Sequence, residues 1–430
     1  MSIKEKIGLI TLGCSKNTVD SERLLNQLKE NSFEIVDDPN DSDTLIVNTC
    51  GFIKDAKEES INTILTAAEL KKEQRLKRLI VFGCLSERYK EDLLEEIPEV
   101  DVFFGVEEYE KIVNELNGKF EKELISDRVV TTPPHYAYLK ISEGCNNPCS
   151  FCAIPLIRGK HKSLPTEQVE REAASLVAKG VKELNVIAQD TTYYGLDLYK
   201  KRSLAELLNK ITQNENLEWI RLLYTYPRNF PLDVLDEMRD NPKICKYIDM
   251  PLQHISDNVL KSMKRGITSK ETRELIYKIK ETVPGIALRT TFIVGYPNET
   301  EEDFAELLDF IEEMKFDRVG AFAFSPEEDT TSFELGDPIS EEVKQERLAS
   351  LMELQSKISL EKNEKRIGSI EKILIDSLEG DYYIGRSQFE TAEVDGEILI
   401  PSTNNLKIGS FYDLEIVDCN EYDLYAKIPD

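Results

Sequence analysis

Residues 143–152 read EGCNNPCSFC. The three thiols Cys145, Cys149 and Cys152 can bind a metal cluster while leaving one coordination position open for chemistry. Spacings of four and then three would also place them on one face of a helix. Pro148 argues against that, because inside a helix it removes a hydrogen bond and clashes with the preceding turn. Gly144, Asn146 and Asn147 favour turns as well, so the stretch reads as a loop. A structural zinc site is the competing assignment, yet zinc takes a closed set of four ligands, commonly from C-x-x-C pairs. Only Cys149 and Cys152 form such a pair. The nearest further ligand, His161, lies among Arg158, Lys160 and Lys162, in what reads as a solvated basic loop. Iron–sulfur ligation by the three thiolates is the favoured reading, with zinc and inert thiols as the alternatives.

Upstream, Cys14 follows the apolar run IGLITLG, Cys50 follows TLIVNT and Cys84 follows RLIVFG. Each run predicts a strand, and helical stretches follow over 21–31, 55–76 and 87–96. Consecutive cysteines are 36 and 34 residues apart, one strand–helix unit each. Alternating units of this kind make a parallel sheet with helices on its faces and ligand sites beyond the carboxyl ends of its strands. Three thiols are thus expected at one edge, as ligands of a second cluster; three ordinary buried cysteines are the alternative. Gly13, Gly51 and Gly83 adjoin them and are expected to let the backbone approach a bulky cluster. Cys245 and Cys419 have no cysteine or histidine nearby in sequence and read as packing residues, Cys245 before the strand YIDMP and Cys419 at the end of YDLEIVDC.

The remaining organisation follows from periodicity. An N-terminal parallel α/β domain spans 1–125, and Thr131 to Pro134 read as an extended linker. The segment 131–362 alternates six strand candidates, HYAYLKIS, ELNVIAQ, EWIRLLYTY, KYIDMP, IALRTTFIVG and RVGAFAFS, with helices. Pro165 marks one helix start, and Glu301, Glu302 and Asp303 mark another, where negative charge is favourable. The expected fold class is α/β, with an open (β/α)6 partial barrel that leaves room for a large substrate. A helix over 340–366 leads to 363–430, whose short β segments KILIDSL, YYIGRS, EILIPS, YDLEIVD and DLYAKI predict a small OB-like β-barrel. The opening MSIKEKIG lacks the apolar core of a secretion signal, and no stretch approaches a membrane span. A reducing cytoplasm is expected, since cluster thiols must stay free.

The motif C-x-x-x-C-x-x-C after a strand resembles the hallmark of the radical S-adenosylmethionine (SAM) enzymes. That resemblance implies a four-iron four-sulfur (4Fe-4S) cluster on Cys145, Cys149 and Cys152 whose fourth iron binds SAM. The cofactor then supplies a deoxyadenosyl radical that takes hydrogen from unactivated carbon. The order of the three domains is similar to the methylthiotransferases, whose last domain is called TRAM. This resemblance covers essentially the whole chain and implies two 4Fe-4S clusters and SAM as cofactors. LGCSKNTVDSE around Cys14, NTCGFI around Cys50 and CNNPCSFCAIPLIRGKHKS resemble the branch that methylthiolates an aspartate of small-subunit ribosomal protein twelve; DMPLQH, FIVGYPNETEEDF and FSPEEDT do so as well. The tRNA-modifying relatives carry GCQMN where this chain has Gly13, Cys14, Ser15, Lys16 and Asn17. In GRSQFETAEVDGE, Glu390, Thr391 and Ala392 depart from the expected TRAM motif.

By the same resemblance, Phe151 neighbours the SAM adenine, and the segments with Gln253, His254 and Gly295 border SAM. They end barrel strands, at the face where barrel active sites are built. No catalytic residue emerges beyond the cluster ligands. The implied partners are a small-subunit ribosomal protein, free or within the subunit, an electron donor such as flavodoxin or ferredoxin, and a sulfur source. Substrate transfer to a tRNA adenosine is the alternative. Charge bears on that choice: the chain carries a net −27, and from Glu364 onward there are 15 acidic and 6 basic side chains. Such a barrel repels phosphate and attracts a basic protein, although acidity also serves solubility alone.

Overall fold

The computed structural model describes residues 5–429. The first four residues of the expected N-terminal domain, and Asp430 of the expected TRAM segment, lie outside the described residues. By packing, the chain forms two compact units. One comprises residues up to Thr132 with Tyr138–Asn146 and Ala153–Leu176; the other comprises Pro133–Ala137, Asn147–Cys152 and Val177 onward.

In the first unit, β1 (Lys6–Thr11), β2 (Glu34–Val36), β3 (Thr44–Thr49), β4 (Arg78–Gly83) and β5 (Val102–Phe103) form a parallel sheet in the order β2-β1-β3-β4-β5. Strand order reverses between β1 and β3, the position at which doubly wound sheets open a ligand crevice beyond their carboxyl ends. Leu45, Val47, Leu79 and Val81 join one core with Ile64, Ala67 and Ala68, while Ile46, Ile80 and Phe82 join another with Leu24, Leu28 and Ile112. Alternate residues point to opposite faces, and with both faces covered the strands read as continuous apolar runs.

The helices span Ser15–Glu30, Lys54–Lys72 and Cys84–Glu96. The first and third therefore begin at the cysteines, several residues before the expected starts. The added first turns are polar, yet Lys16, Asn17 and Asp20 are buried there, as are Ser21 and Glu22 beyond them. The segment expected as a linker is tied down: the Thr131 amide and hydroxyl both donate to Glu22, at 2.6 and 2.9 Å. Fully buried Arg128 reaches Glu22 and, at 3.1 Å, Glu172.

Beyond β6 (Tyr136–Lys140), the short strands β7 (Ser142–Glu143) and β8 (Lys162–Ser163) pair antiparallel. Then come β9 (Glu183–Ile187), β10 (Trp219–Leu222), β11 (Ile244–Asp249), β12 (Ala287–Val294) and β13 (Arg318–Ala323). They make an open six-stranded sheet in the order β13-β12-β11-β10-β9-β6, with β9 to β13 parallel. Cys245 lies inside β11, buried, rather than before it. Thr300 caps the helix Glu301–Met314 in a reciprocal pair with Asp303, so the acidic run is a helix start, as expected.

The helix Glu341–Glu364 leads to β14 (Ile370–Glu379), β15 (Tyr382–Arg386), β16 (Ile398–Pro401), β17 (Phe411–Cys419) and β18 (Leu424–Lys427), which close into a barrel in the order β14-β15-β16-β18-β17. Ile373, Ile375, Ile398, Ile400, Leu414 and Ile416 fill it. Buried charges join this barrel to the amino-terminal parts of the sheet strands. Arg221 donates to Glu183 at 2.9 Å and to the carbonyls of Gln388 and Ser387 at 2.7 and 3.2 Å. Arg386 bridges Glu183 and Asp376, at 2.8 and 2.6 Å. Glu390, 1% exposed, takes Arg366 and Arg318. The departure of Glu390, Thr391 and Ala392 from the expected motif thus falls on buried docking residues, not on an exposed contact surface.

Candidate active site

Cys14 is the N-cap of the first helix, Cys50 directly follows β3, and Cys84 is the first residue of the third helix. All three stand at carboxyl ends of strands on either side of the β1/β3 reversal. They are near enough for Cys14 and Cys50 to raise the thiol of Cys84, and for Cys14 to raise that of Cys50. Burial is the larger influence on both, and it pushes Cys84 up to about 12. The adjoining glycines let these loops approach one another closely. A Cβ on Gly13, at φ +88°, would stand 2.6 Å from the Cys50 Cβ, and one on Gly51 would stand 2.7 Å from the Leu85 backbone.

Arg158 is the first residue that sequence reasoning misplaced. It is 7% exposed, not solvated, because its guanidinium has a partner on every side. One nitrogen donates to Asp20 at 2.9 Å and Glu143 at 3.1 Å. The other donates to Asn17 at 2.5 Å and reaches the Cys84 sulfur at 3.3 Å. Lys140 completes the group, pairing with Asp20 and, at 2.6 Å, with Glu143. Burial pushes Asp20 up, but Lys140 and Arg158 outweigh it and hold the carboxyl well below the usual range. Asn17 in turn donates to the carbonyls of Leu12 and Thr49, at 2.8 and 3.1 Å. It thereby links the chain just before Cys14 to the chain just before Cys50.

The Cys145–Cys152 stretch is a loop, as Pro148 requires. Cys145 falls in the first packing unit and Cys149 and Cys152 in the second. In the first, the Cys145 amide donates to Gly159 at 3.1 Å, and a Cβ on Gly144 would stand 2.6 Å from the Lys160 carbonyl carbon. His161 is buried and bonded to Ser163 at 3.1 Å. In the second, Arg265 donates to the Cys149 sulfur at 3.2 Å, and the Tyr226 hydroxyl meets the same sulfur at 3.4 Å. The guanidinium also stacks on the Tyr226 ring, 4.3 Å from its centroid. Ser150 pins the loop through its amide to Met263, 3.0 Å, and its hydroxyl to Ser262, 2.9 Å.

Phe151 packs, partly buried, against Val259, Met263, Tyr296 and Phe324. Gln253 adopts φ 76° and bridges to β12, its amide donating to Thr291 and its carbonyl accepting from Ile293, both at 2.8 Å. Gly295 follows β12 at φ +72°, and its amide donates to the Glu299 carboxylate at 3.0 Å. His254 is fully buried, with Nε2 3.3 Å from the same carboxylate, and Arg347 closes the group at 2.6 Å.

Two triads of thiols, each with a buried arginine on one sulfur, suit electron-rich clusters whose charge such donors stabilise. Among the described residues, no three His, Cys, Asp or Glu side chains close on a single-ion site. A four-iron cube separates its ligands further than one ion does, so the fit to clusters rests on the thiols of the N-terminal triad, drawn together by Gly13 and Gly51, and on the paired arginines.

Three family models match in succession: uncharacterized protein family UPF0004 over residues 6–105, the Radical SAM superfamily over 139–311 and the TRAM domain over 367–428. A ribosomal protein uS12 methylthiotransferase of Christiangramia forsetii is 52% identical, over 99% of this chain and 94% of the relative. One of Chloroherpeton thalassium is 51% identical, over 99% of each. This chain belongs to the uS12 methylthiotransferase family. Among solved structures, the radical SAM methyltransferase TsrM from Kitasatospora setae, with tryptophan and a SAM analogue bound, matches at a TM-score of 0.58 and 14% identity, covering 88% of this chain and 79% of that one. At that identity the likeness is one of fold.

Within the family, the Ser15, Lys16 and Asn17 signature acquires a physical meaning. Lys16 and Asn17 are buried, and Asn17 is the hinge between the cysteine loops. Arg265 and Tyr226 had no sequence signal: they lie 116 and 77 residues from Cys149, in segments with no motif.

Proposed function

We propose that this chain is a radical SAM methylthiotransferase that places a methylthio group on the β-carbon of an aspartate in ribosomal protein uS12. The observation that carries this reading is full-length identity of about half to relatives of that name. Two cysteine triads set at strand ends support it. Cys145, Cys149 and Cys152 would hold one 4Fe-4S cluster, with SAM, and Cys14, Cys50 and Cys84 a second. When bound, these groups supply a carbon-centred radical and a site for sulfur, chemistry that acid–base side chains cannot perform on a C–H bond lacking acidity.

The chain's own residues would bind and orient. Arg265 gives the Cys149 sulfur a donor, and the Tyr226 hydroxyl, which donates to the Arg265 carbonyl at 3.0 Å, lies 3.4 Å from the same sulfur. Phe151 would offer an aromatic face to the adenine, and Gln253, bridged to β12, would border SAM. Gly295, its amide held by Glu299, sets the strand end that borders SAM. The three expected segments serve as cluster domain, radical barrel and TRAM domain. No described helix is long and apolar enough to cross a membrane; a cytoplasmic site of action, a flavodoxin or ferredoxin as electron donor and a separate sulfur source complete the proposal.

The test offers reduced, reconstituted enzyme both purified uS12 and tRNA, with mass spectrometry of each. Methylthio mass on an aspartate of the protein is expected. Methylthio mass on tRNA with none on protein would replace this reading by the tRNA adenosine alternative.

A further inference from the structure

The first unit contains a device that the cysteine motifs do not announce. Arg158 lies six residues beyond Cys152 on the chain, at the end of the short helix Ile154–Arg158, yet its guanidinium is directed at the other triad. It reaches the Cys84 sulfur at 3.3 Å and Asn17 at 2.5 Å. Asn17 holds the backbone just before both Cys14 and Cys50. A single side chain therefore touches one thiol and, through one amide, the loops that carry the other two. Ala153, at the N-cap of that short helix, and Ile157 within it pack against Cys84.

The arrangement costs much unless it serves the site. Burying a charge is expensive and is tolerated when the partners are complete. Here Arg158 and Lys140 face Asp20 and Glu143, two charges of each sign, every one of them under 10% exposed. The acids hold the arginine in place and cancel its charge at long range, but they leave one N–H directed at sulfur. What Cys84 receives is a directional hydrogen bond, which stabilises negative charge on that thiolate more than on its neighbours.

We infer that Arg158 is a positioning residue for the N-terminal cluster, one that orders all three of its cysteine loops and raises the cluster's reduction potential through a hydrogen bond to Cys84. This rests on the reading that Cys14, Cys50 and Cys84 hold a cluster. The physical reason for the potential is that a reduced cluster carries one more negative charge, which a donor to sulfur stabilises. Because Arg158 and Cys152 share one short segment, the same stretch of chain serves both triads.

The test uses full-length chain with Cys145, Cys149 and Cys152 replaced by alanine, so that only the N-terminal cluster reports. Arg158→Gln and Arg158→Lys are added separately, and potentials are read by EPR-monitored titration. The background should hold about four irons; if it holds none, the cluster reading itself falls. With iron present, Arg158→Gln should shift the reduced-to-oxidised ratio at fixed potential about tenfold toward oxidised, about 59 mV for one electron. Arg158→Lys, whose three donors cannot serve Asp20, Glu143, Asn17 and Cys84 together, should fall between. If Arg158→Gln fails to retain iron or to fold, Arg158→Lys alone decides. A background that binds iron, with a potential unmoved by the folded variants, overturns the inference.

Discussion

Arg265 sets a guanidinium nitrogen 3.2 Å from the Cys149 sulfur while its plane lies over Tyr226 and its other nitrogen donates to the Pro251 carbonyl at 2.6 Å. Three interactions fix this arginine in a buried position, so the donor is in place before any ligand arrives. Preorganised donors of this kind need no rearrangement when charge develops.

Replacing Arg265 by glutamine should therefore slow reductive cleavage of SAM. Hydrogen bonds to charged groups are worth about 1.5–3 kcal/mol, so a loss of about tenfold or more in 5′-deoxyadenosine formation is expected. Arg265→Lys should recover part of it, since charge remains but the stacked, forked geometry does not. Equal rates in wild type and Arg265→Gln, at equal iron content, would remove this residue from the site.

The two triads should separate by function. Reconstituted enzyme should hold about eight irons, from two four-iron clusters. Alanine at Cys145, Cys149 and Cys152 should halve that and abolish SAM cleavage. Alanine at Cys14, Cys50 and Cys84 should also halve it, preserve SAM cleavage and prevent methylthio transfer. Methylthiolated product from the second variant would exclude the N-terminal triad from the reaction.

The convergence of Cys14, Cys50 and Cys84 is legible because three cysteines stand at equivalent strand ends, and the loop over 145–152 is legible from its proline. The barrel strands and the small C-terminal barrel were legible from periodicity. β2 and β5, of three and two residues, are too short to carry a pattern. Arg158 was misread because Gly159, Lys160 and Lys162 around it resemble a solvated face, while its partners Asp20 and Asn17 lie 138 and 141 residues away. A buried charge is specified by complementary charges from distant segments, and local sequence does not encode that pairing. For the same reason the acidic count of the last domain overstated its free charge. Asp376 and Glu390 face arginines inside the protein.

Glu390 should make stability depend on acid. Burial pushes its carboxyl up, but Arg366, Arg318 and the Ser387 hydroxyl outweigh that and hold it at about 2. A carboxyl depressed in the folded state contributes stability above its unfolded value of about 4.5, and the contribution is lost as pH falls from there toward 2. Its full size is on the order of 3 kcal/mol. Urea unfolding of wild type and Glu390→Gln should differ most near neutrality and converge toward pH 2. A constant difference across that range would show that the carboxylate charge does not hold the barrel in place.

The acids that remain free bear on the substrate. Glu379, Asp381, Glu397, Asp413 and Asp418 are exposed on the small barrel. Burial and the neighbouring Glu379 and Asp423 push Glu397 up, as a field of one sign does. Such a surface attracts a basic protein and repels phosphate, and screening extends over about 10 Å at 0.1 M salt but about 3 Å at 1 M. Binding of uS12 should therefore weaken about tenfold between low and high salt. Lysine at Glu379, Asp381 and Asp418 together should raise KM for uS12 several-fold while leaving SAM cleavage without substrate unchanged, because none of the three touches either triad. A KM indifferent both to salt and to this reversal would take the acidic barrel out of substrate recognition and leave its charge to solubility alone.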